Sequence, residues 1–202
     1  LNIPIVGVNT GRLGFLSTFK KEDVRKVIKE FIAGAYTIVE RSLVEVRTHP
    51  PTPEFDNLNF ALNEVTVSRK DTTSMITVET YLNNDFLTSY WADGLILATP
   101  TGSTGYSLSC GGPVIAPTVK SLILTPIAPH NLNARPLVIS DDTEIRLRVS
   151  GREEFHLVSL DSRIATLENG IEIIVKKAGF TVKMIEYTSE SFLKTLRNKL
   201  LW

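Results

Sequence analysis

The sequence predicts a mainly β protein, an antiparallel β-sandwich flanked at both ends by remnants of an α/β domain. Three observations predict it. Short segments of alternating polarity fill the middle of the chain, helical spacing occurs only near its two ends, and one long Gly/Ser/Thr/Pro run fits neither a core helix nor a core strand. Many short antiparallel strands at close intervals are the pattern of a sandwich. At 202 residues with 43% hydrophobic composition, the chain can bury a sizeable core in one or two domains.

Taken in order, Leu1-Asn-Ile-Pro-Ile-Val-Gly-Val8 reads as a strand already inside a domain. Val24, Val27, Ile28, Phe31 and Ile32 then recur at helical spacing, and Gly34 is placed to terminate the helix. The segment His49 to Asn59 holds three prolines, which deny ladder hydrogen bonds, and is expected to be a flexible surface loop. Phe60 to Ser68 reads as a strand interrupted at its centre by Asn63 and Glu64, both poor strand formers. Ile76–Leu82, a turn at Asn83-Asn-Asp85 and Phe86–Tyr90 form a hairpin, and Gly94-Leu-Ile-Leu-Ala98 is a short, wholly apolar strand. Alternation resumes at Ile145-Leu147-Val149, Phe155-Leu157, Ile171-Ile173-Val175 and Phe180-Val182-Met184. Ser189 is placed to cap a last helix bearing Phe192, Leu193, Leu196 and Leu200. The expected boundaries are 39–187 for the sandwich, with 1–38 and 188–202 as the α/β remnant.

Thr99 to Pro113 carries the most chemical information, because twelve of its fifteen residues are Gly, Pro, Ser or Thr. Gly102, Gly105, Gly111 and Gly112 let a ligand approach the backbone and permit positive φ, and Thr99, Thr101, Ser103, Thr104, Ser107 and Ser109 offer hydroxyls. Tyr106 adds a ring for a sugar or base. No lysine occurs between Lys70 and Lys120, which excludes a Walker P-loop, and Thr101 stands where a nucleophile elbow around Ser103 needs Gly. A long structural turn is the plain alternative to a nucleotide loop.

Two acidic features flank this run. Asn63 and Glu64 place a carboxamide beside a carboxylate, a pairing suited to vicinal ribose hydroxyls, although adjacent strand residues share a ligand only near a strand end or bulge. Asp93 lies directly before the apolar strand, in an Asp-Gly pair that by itself marks only a turn. The three histidines, His49, His130 and His156, are far apart, and with a single Cys110 they make no zinc pattern. Cys110 reads as a small buried filler, and Arg135 as a residue that fixes backbone carbonyls or a carboxylate rather than phosphate. With 22 basic and 22 acidic side chains the net charge is zero and no basic stripe appears, so nucleic acid is not an expected partner; a membrane is not expected either. Neither a signal peptide nor a long apolar span is visible, and the cytoplasm is the expected location.

Asn63-Glu64-Val65, Ala92-Asp93-Gly94, Thr99 to Ser109, Gly111-Gly-Pro113 and the opening Val8-Asn-Thr-Gly-Arg-Leu-Gly-Phe-Leu16 together resemble the NAD kinase family, in that order and over essentially the whole chain. The resemblance implies transfer of the γ-phosphoryl group of ATP, or in some members of polyphosphate, to the 2′-hydroxyl of the adenosine ribose of NAD, giving NADP. It implies that Asn63 and Glu64 hold NAD and that Asp93 contacts the dinucleotide near its nicotinamide end or across a subunit boundary. Thr104, Gly105, Tyr106, Ser107, Leu108 and Ser109 would line the adenosine pocket, with Thr101 in the same cofactor-binding set. Magnesium or another divalent metal would arrive on ATP, held by phosphate oxygens and water. A homo-oligomer, dimer or tetramer, is expected.

Three departures qualify the likeness. The family's Gly-Gly-Asp-Gly-Thr motif, whose Asp activates the 2′-hydroxyl, does not occur in these 202 residues, so no catalytic residue is assigned here and the chain alone is expected to be inactive. Gly105 stands where many relatives have Ala. Asp161-Ser162-Arg163 occupies what resembles the family's Asp-Gly-Gln turn, which puts contacts of that Gln in doubt. The alternatives are a lipid or sphingoid-base kinase, which shares the broad architecture but would not carry this run beside Asn63-Glu64, and a non-catalytic dinucleotide-binding or self-association module.

Overall fold

The computed structural model of the chain describes residues 2–10, 14–16, 19–55, 57–71, 74–187 and 191–200. It divides into two compact units, one formed by 1–41 with 181–202 and the other by 42–180.

In the first unit, β1 (Val8–Asn9) and β2 (Phe19–Lys20) pair in parallel, and α1 (Val24–Ile32) follows. Gly34 ends this helix at φ +69, the left-handed backbone that glycine adopts without a Cβ penalty. Only Val27 of the predicted apolar face is fully buried, against Phe19, Ile185 and Tyr187, while Ile28, Phe31 and Ile32 remain exposed. Phe19 meets the Tyr187 ring edge-on at 4.9 Å, and Phe31 stacks on Tyr36 at 5.2 Å.

The chain continues through β3 (Tyr36–His49), β4 (Phe60–Ala61), β5 (Glu64–Arg69), β6 (Ile76–Leu82), β7 (Asp85–Ala92) and β8 (Gly94–Ala98). A short helical turn, α2 (Tyr106–Ser109), interrupts the strands. Then come β9 (Ser121–Ile127), β10 (Leu137–Ser140), β11 (Ile145–Gly151), β12 (Phe155–Leu160), β13 (Arg163–Glu168), β14 (Glu172–Tyr187) and α3 (Phe192–Leu200). The mainly β reading holds. Two six-stranded sheets form, in the orders β10-β9-β8-β5-β12-β13 and β4-β3-β14-β11-β6-β7. Inward side chains such as Val65, Val67, Leu95, Leu97, Leu124 and Val158 from the first meet Val44, Val78, Leu147 and Ile173 from the second in one buried cluster. This is the face-to-face packing that alternation at period two dictates.

Several local expectations need correction. Phe60 to Ser68 is not one strand: β4 and β5 belong to different sheets, and Leu62-Asn63 is the crossing between them. The hairpin turn is Asn83-Asn84, both at positive φ (49 and 69), so β7 begins one residue earlier than read. Asparagine tolerates that region better than other non-glycine residues, and a two-residue turn of this hand suits strand twist. The two last strand segments join in the single 16-residue β14. The proline-rich segment is tethered: the Thr52 amide donates to Thr48 Oγ1 at 3.0 Å, Phe55 is buried, and Arg163 donates to the carbonyls of Leu58 and Phe60. Ser189 lies outside the described residues; the α3 cap that is described is Ser191, whose Oγ accepts the Lys194 amide at 3.1 Å.

Candidate functional site

β5, β8 and β12 are neighbours in the first sheet, and register fixes where their ends meet. Glu64 pairs with Ala98 and Val65 with Leu160. The start of β5 therefore lies beside the end of β8, from which the Gly-rich loop leaves, and beside the end of β12, which runs into Asp161.

The loop is built on its own backbone and on residues 62–63. Thr99 Oγ1 donates to the Leu62 carbonyl at 2.6 Å and accepts the Gly102 amide at 3.1 Å, while the Thr99 amide donates to the Asn63 carbonyl at 2.8 Å. Ser103 Oγ donates to the Pro100 carbonyl at 2.7 Å and accepts the Ile115 amide at 3.0 Å, which closes the loop on itself. Ser107 Oγ bonds Thr125 Oγ1 on β9 at 2.8 Å. The hydroxyls of Thr99, Ser103 and Ser107 thus serve the loop's architecture, and all three residues are buried.

Glycine has two different uses here. Gly111 sits at φ +83. At Gly102 the reason is space: a Cβ would overlap the Asn63 carbonyl and come within 2.9 Å of Asn63 Cα. The sequence assigns these glycines to ligand approach and to positive φ; Gly111 has the positive φ, whereas at Gly102 the approaching group is the protein's own crossing segment. Beneath the loop, Ile96, Ala98 and Ile123 form a second apolar cluster, with half-buried Cys110 and Ile115 against it. β8 is consequently covered on both faces, which is why it is wholly apolar.

Glu64 shares the strand face of Thr66, under this loop. A Cβ at Gly105 would stand 3.2 Å from Glu64 Oε2, so the carboxyl lies directly against the loop backbone. That oxygen is buried and has no hydrogen-bond partner among the described residues. Burial first, and then the negative charge of Asp161, push the Glu64 carboxyl up to about 7. Asn63 sits just before β5, in the bend rather than in the ladder, so alternation does not force the two side chains apart.

The remaining predicted positions lie along the loop's outer side. Gly105, Tyr106 and Ser109 are exposed, and Thr101, Thr104 and Leu108 are half-buried. Thr104 Oγ1 donates to the Thr101 carbonyl at 3.3 Å. The Tyr106 hydroxyl is raised by burial, by Cys110 and by the charge of Asp93, which brings Asp93 into the electrostatic reach of the loop. Asp93 itself pairs with Arg69 at 3.1 Å and lines a cavity of about 570 Å³ with Trp91 and Arg152. His130 packs its ring on Trp91 at 4.3 Å, and Arg135 donates to the carbonyls of Leu132 and Ala134, both at 2.8 Å. Among the described residues no group of three His, Cys, Asp or Glu is gathered for a metal. No helix among them is long and apolar enough to cross a membrane.

One contributor was missed in the sequence. Asp161, read only as part of a turn, accepts three backbone amides, those of Leu62 at 2.9 Å, Asn63 at 2.7 Å and Glu64 at 3.2 Å. Its local sequence signal is an Asp directly after an alternating strand, the residue type that tolerates the φ of +53 found there.

Comparison with known proteins adds an independent line. Residues 62–187 match the family described as ATP-NAD kinase C-terminal domain, and residues 1–36 the ATP-NAD kinase N-terminal domain. The chain is 62% identical over 200 residues to an NAD kinase of Flavobacterium johnsoniae, covering 99% of this chain and 68% of that protein. It is 61% identical over 202 residues to an NAD kinase of Christiangramia forsetii, covering 100% and 69%. Yeast NADH kinase, solved in complex with NADH, superposes with a TM-score of 0.85 at 30% identity, over 98% of this chain and 58% of that one. An NAD kinase from Archaeoglobus fulgidus, solved with ATP, gives 0.80 at 28% identity, over 98% and 74%.

Proposed function

This chain belongs to the NAD kinase family, and we propose that it supplies the NAD-holding part of an enzyme that phosphorylates the 2′-hydroxyl of the adenosine ribose of NAD. The observation that carries the reading is the buried Glu64 Oε2 beside Asn63, without a hydrogen-bond partner among the described residues and held against the backbone of the glycine-rich loop. A bound ribose would give that oxygen the donor it lacks, with the Asn63 amide serving the neighbouring hydroxyl. Thr101, Thr104, Gly105, Tyr106, Ser107, Leu108 and Ser109 would line the adenosine side, Ser107 through its backbone, and Asp93 would meet the nicotinamide end, within one subunit or across to a second copy in a dimer or tetramer.

In the reaction the ribose 2′-oxygen attacks the γ-phosphorus of ATP as the bond to the β–γ bridging oxygen breaks, giving NADP and ADP. Catalysis of this step is mainly positioning and charge neutralisation, so no covalent nucleophile is required. Magnesium or another divalent metal would come bound to the ATP phosphates. The hydroxyl proton needs a base, and none of the proposed binding residues takes that part; in the family it is the Asp of the Gly-Gly-Asp-Gly-Thr motif, which these 202 residues do not contain. On this reading 39–187 is the sandwich domain, 1–38 with 188–202 goes with the α/β domain, and the enzyme works in the cytoplasm.

Calorimetry of NAD binding tests it. Asn63→Ala and Glu64→Ala in the intact protein should each weaken NAD about tenfold or more, since an unpaired polar group in a buried site costs about 1–3 kcal/mol. Unchanged affinity in both variants would remove the assignment.

A further inference from the structure

We propose that Asp161 is a positioning residue for the NAD-binding pair Asn63 and Glu64: it fixes their backbone through its carboxylate and sets the electrostatic field at the Glu64 side chain. The inference rests on the reading of those two residues as the ribose-binding pair, and it deepens that reading.

The geometry is a closed clasp. Leu62 and Asn63 form the crossing between the two sheets, where their amides have no ladder partners, and Glu64 follows as the first residue of β5, so three successive amides lie where the ladder is only beginning. The Asp161 carboxylate takes all three, Oδ2 from Leu62 and Oδ1 from Asn63 and Glu64, while the Asp161 amide returns a bond to the Glu64 carbonyl at 3.0 Å. That return bond extends the β5–β12 register by one residue beyond Leu160 and Val65. On the other side, Thr99 holds the carbonyls of Leu62 and Asn63. With amides held from one side and carbonyls from the other, the bend has no freedom to swing Asn63 or Glu64 away from the loop. A carboxylate is needed because its two oxygens can accept three N–H groups that all converge on one side, and charge-assisted bonds of this kind are stronger than neutral ones.

A second consequence is electrostatic. Asp161 is the charged group that acts on the Glu64 carboxyl, adding to burial in favouring its protonated form. One side chain therefore holds the Glu64 backbone and also adds to the burial that sets how readily Glu64 ionises. A purely structural capping residue would do only the first.

Asp161→Asn separates the two effects. It keeps an acceptor for the Asn63 and Glu64 amides, turns its NH2, a donor, toward the Leu62 amide and deletes the charge. The direct readout is the ¹³C titration of the Glu64 carboxyl in the intact, ligand-free protein, which does not depend on any ligand assignment. Its midpoint should move down from about 7 in Asp161→Asn, without reaching the ordinary glutamate value, because burial remains. Amide exchange at 62–64 should quicken in Asp161→Ala, and NAD affinity should fall about tenfold or more in Asp161→Ala, with partial recovery in Asp161→Asn. An unshifted Glu64 midpoint in a folded Asp161→Asn protein overturns the electrostatic part. Native exchange at 62–64 together with native NAD affinity in the variants overturns the positioning part. If Asn63→Ala and Glu64→Ala leave NAD binding intact while the midpoint still shifts, the ribose reading has failed and the clasp has survived; if those variants weaken NAD and neither Asp161 variant alters anything, the clasp has failed alone.

Discussion

Glu64 is held where its ionised form is penalised twice, by burial under the loop and by the charge of Asp161, and this makes its protonation the first thing to measure. The two consequences of ionising it have opposite signs. Ionisation costs the empty protein, because a buried charge without a partner is unfavourable, but it should help NAD, because a carboxylate accepts from ribose hydroxyls at both oxygens. NAD affinity is therefore expected to rise with pH through about 7, and this rise should vanish in Glu64→Gln. Calorimetry in two buffers of different ionisation enthalpy also reports the linked proton release, and an affinity independent of pH in the parent would remove Glu64 from the contact. The sequence marked Asn63 and Glu64 by their poor fit to a strand, and that mismatch was legible because local propensity is a property of residue type. Asp161 was not legible: it lies about a hundred residues away, and three amides on one carboxylate are a tertiary fact.

Among the elements, the Gly-rich loop was visible as a composition, but the work of its parts was not. Hydroxyls that looked available to a ligand, those of Thr99, Ser103 and Ser107, turn out to be bonded inside the protein. The strand expected from Phe60 to Ser68 divides because the crossing at Leu62-Asn63 finds partners in Thr99 and Asp161 instead of a ladder, a competition that no local pattern reveals. The loop's glycines should then differ sharply. In Gly102→Ala the new methyl meets backbone, the Asn63 carbonyl, which can yield only if the whole bend moves, so a loss on the order of 1–3 kcal/mol and severe loss of NAD binding are expected. In Gly105→Ala the neighbours are the Glu64 side-chain oxygen and the Gly102 carbonyl, both at 3.2 Å, a contact that a small shift relieves. Chemical denaturation and NAD titration of the pair should rank Gly102→Ala far below Gly105→Ala. Equal effects would mean that the loop does not rest on Asn63 as described.

For the molecule as a whole, pH dependence of stability is set against a net charge of zero, so long-range self-repulsion is small near neutrality and individual buried groups stand out. Two such groups oppose each other. His156 is completely buried, with Nδ1 bonded to Asn169 Oδ1 at 3.0 Å and Nε2 without a partner among the described residues. Burial lowers its pKa, and the Asn169 bond offsets this only in part. Its contribution to stability is present above the unfolded value of about 6.5 and is lost as pH falls through the depressed folded value. Glu64 behaves in the reverse sense: its folded pKa is raised, so its contribution is complete below the unfolded value of about 4.3 and is lost as pH rises through about 7. Between about pH 4.5 and about pH 6.5 the two slopes have opposite signs and partly cancel. Each single substitution should therefore expose the other group. Glu64→Gln should make stability rise with pH across this interval more steeply than in the parent, because the His156 slope is left alone. His156→Gln, which can still bond Asn169 and does not titrate, should make stability fall with pH more steeply, whatever it does to the absolute value. The double variant should return toward the parental slope, since the sites act through separate surroundings. Denaturant midpoints for the four proteins at several pH values decide the matter. Parallel curves for all four would show that neither group changes its protonation on unfolding, and both buried-group assignments would fall together.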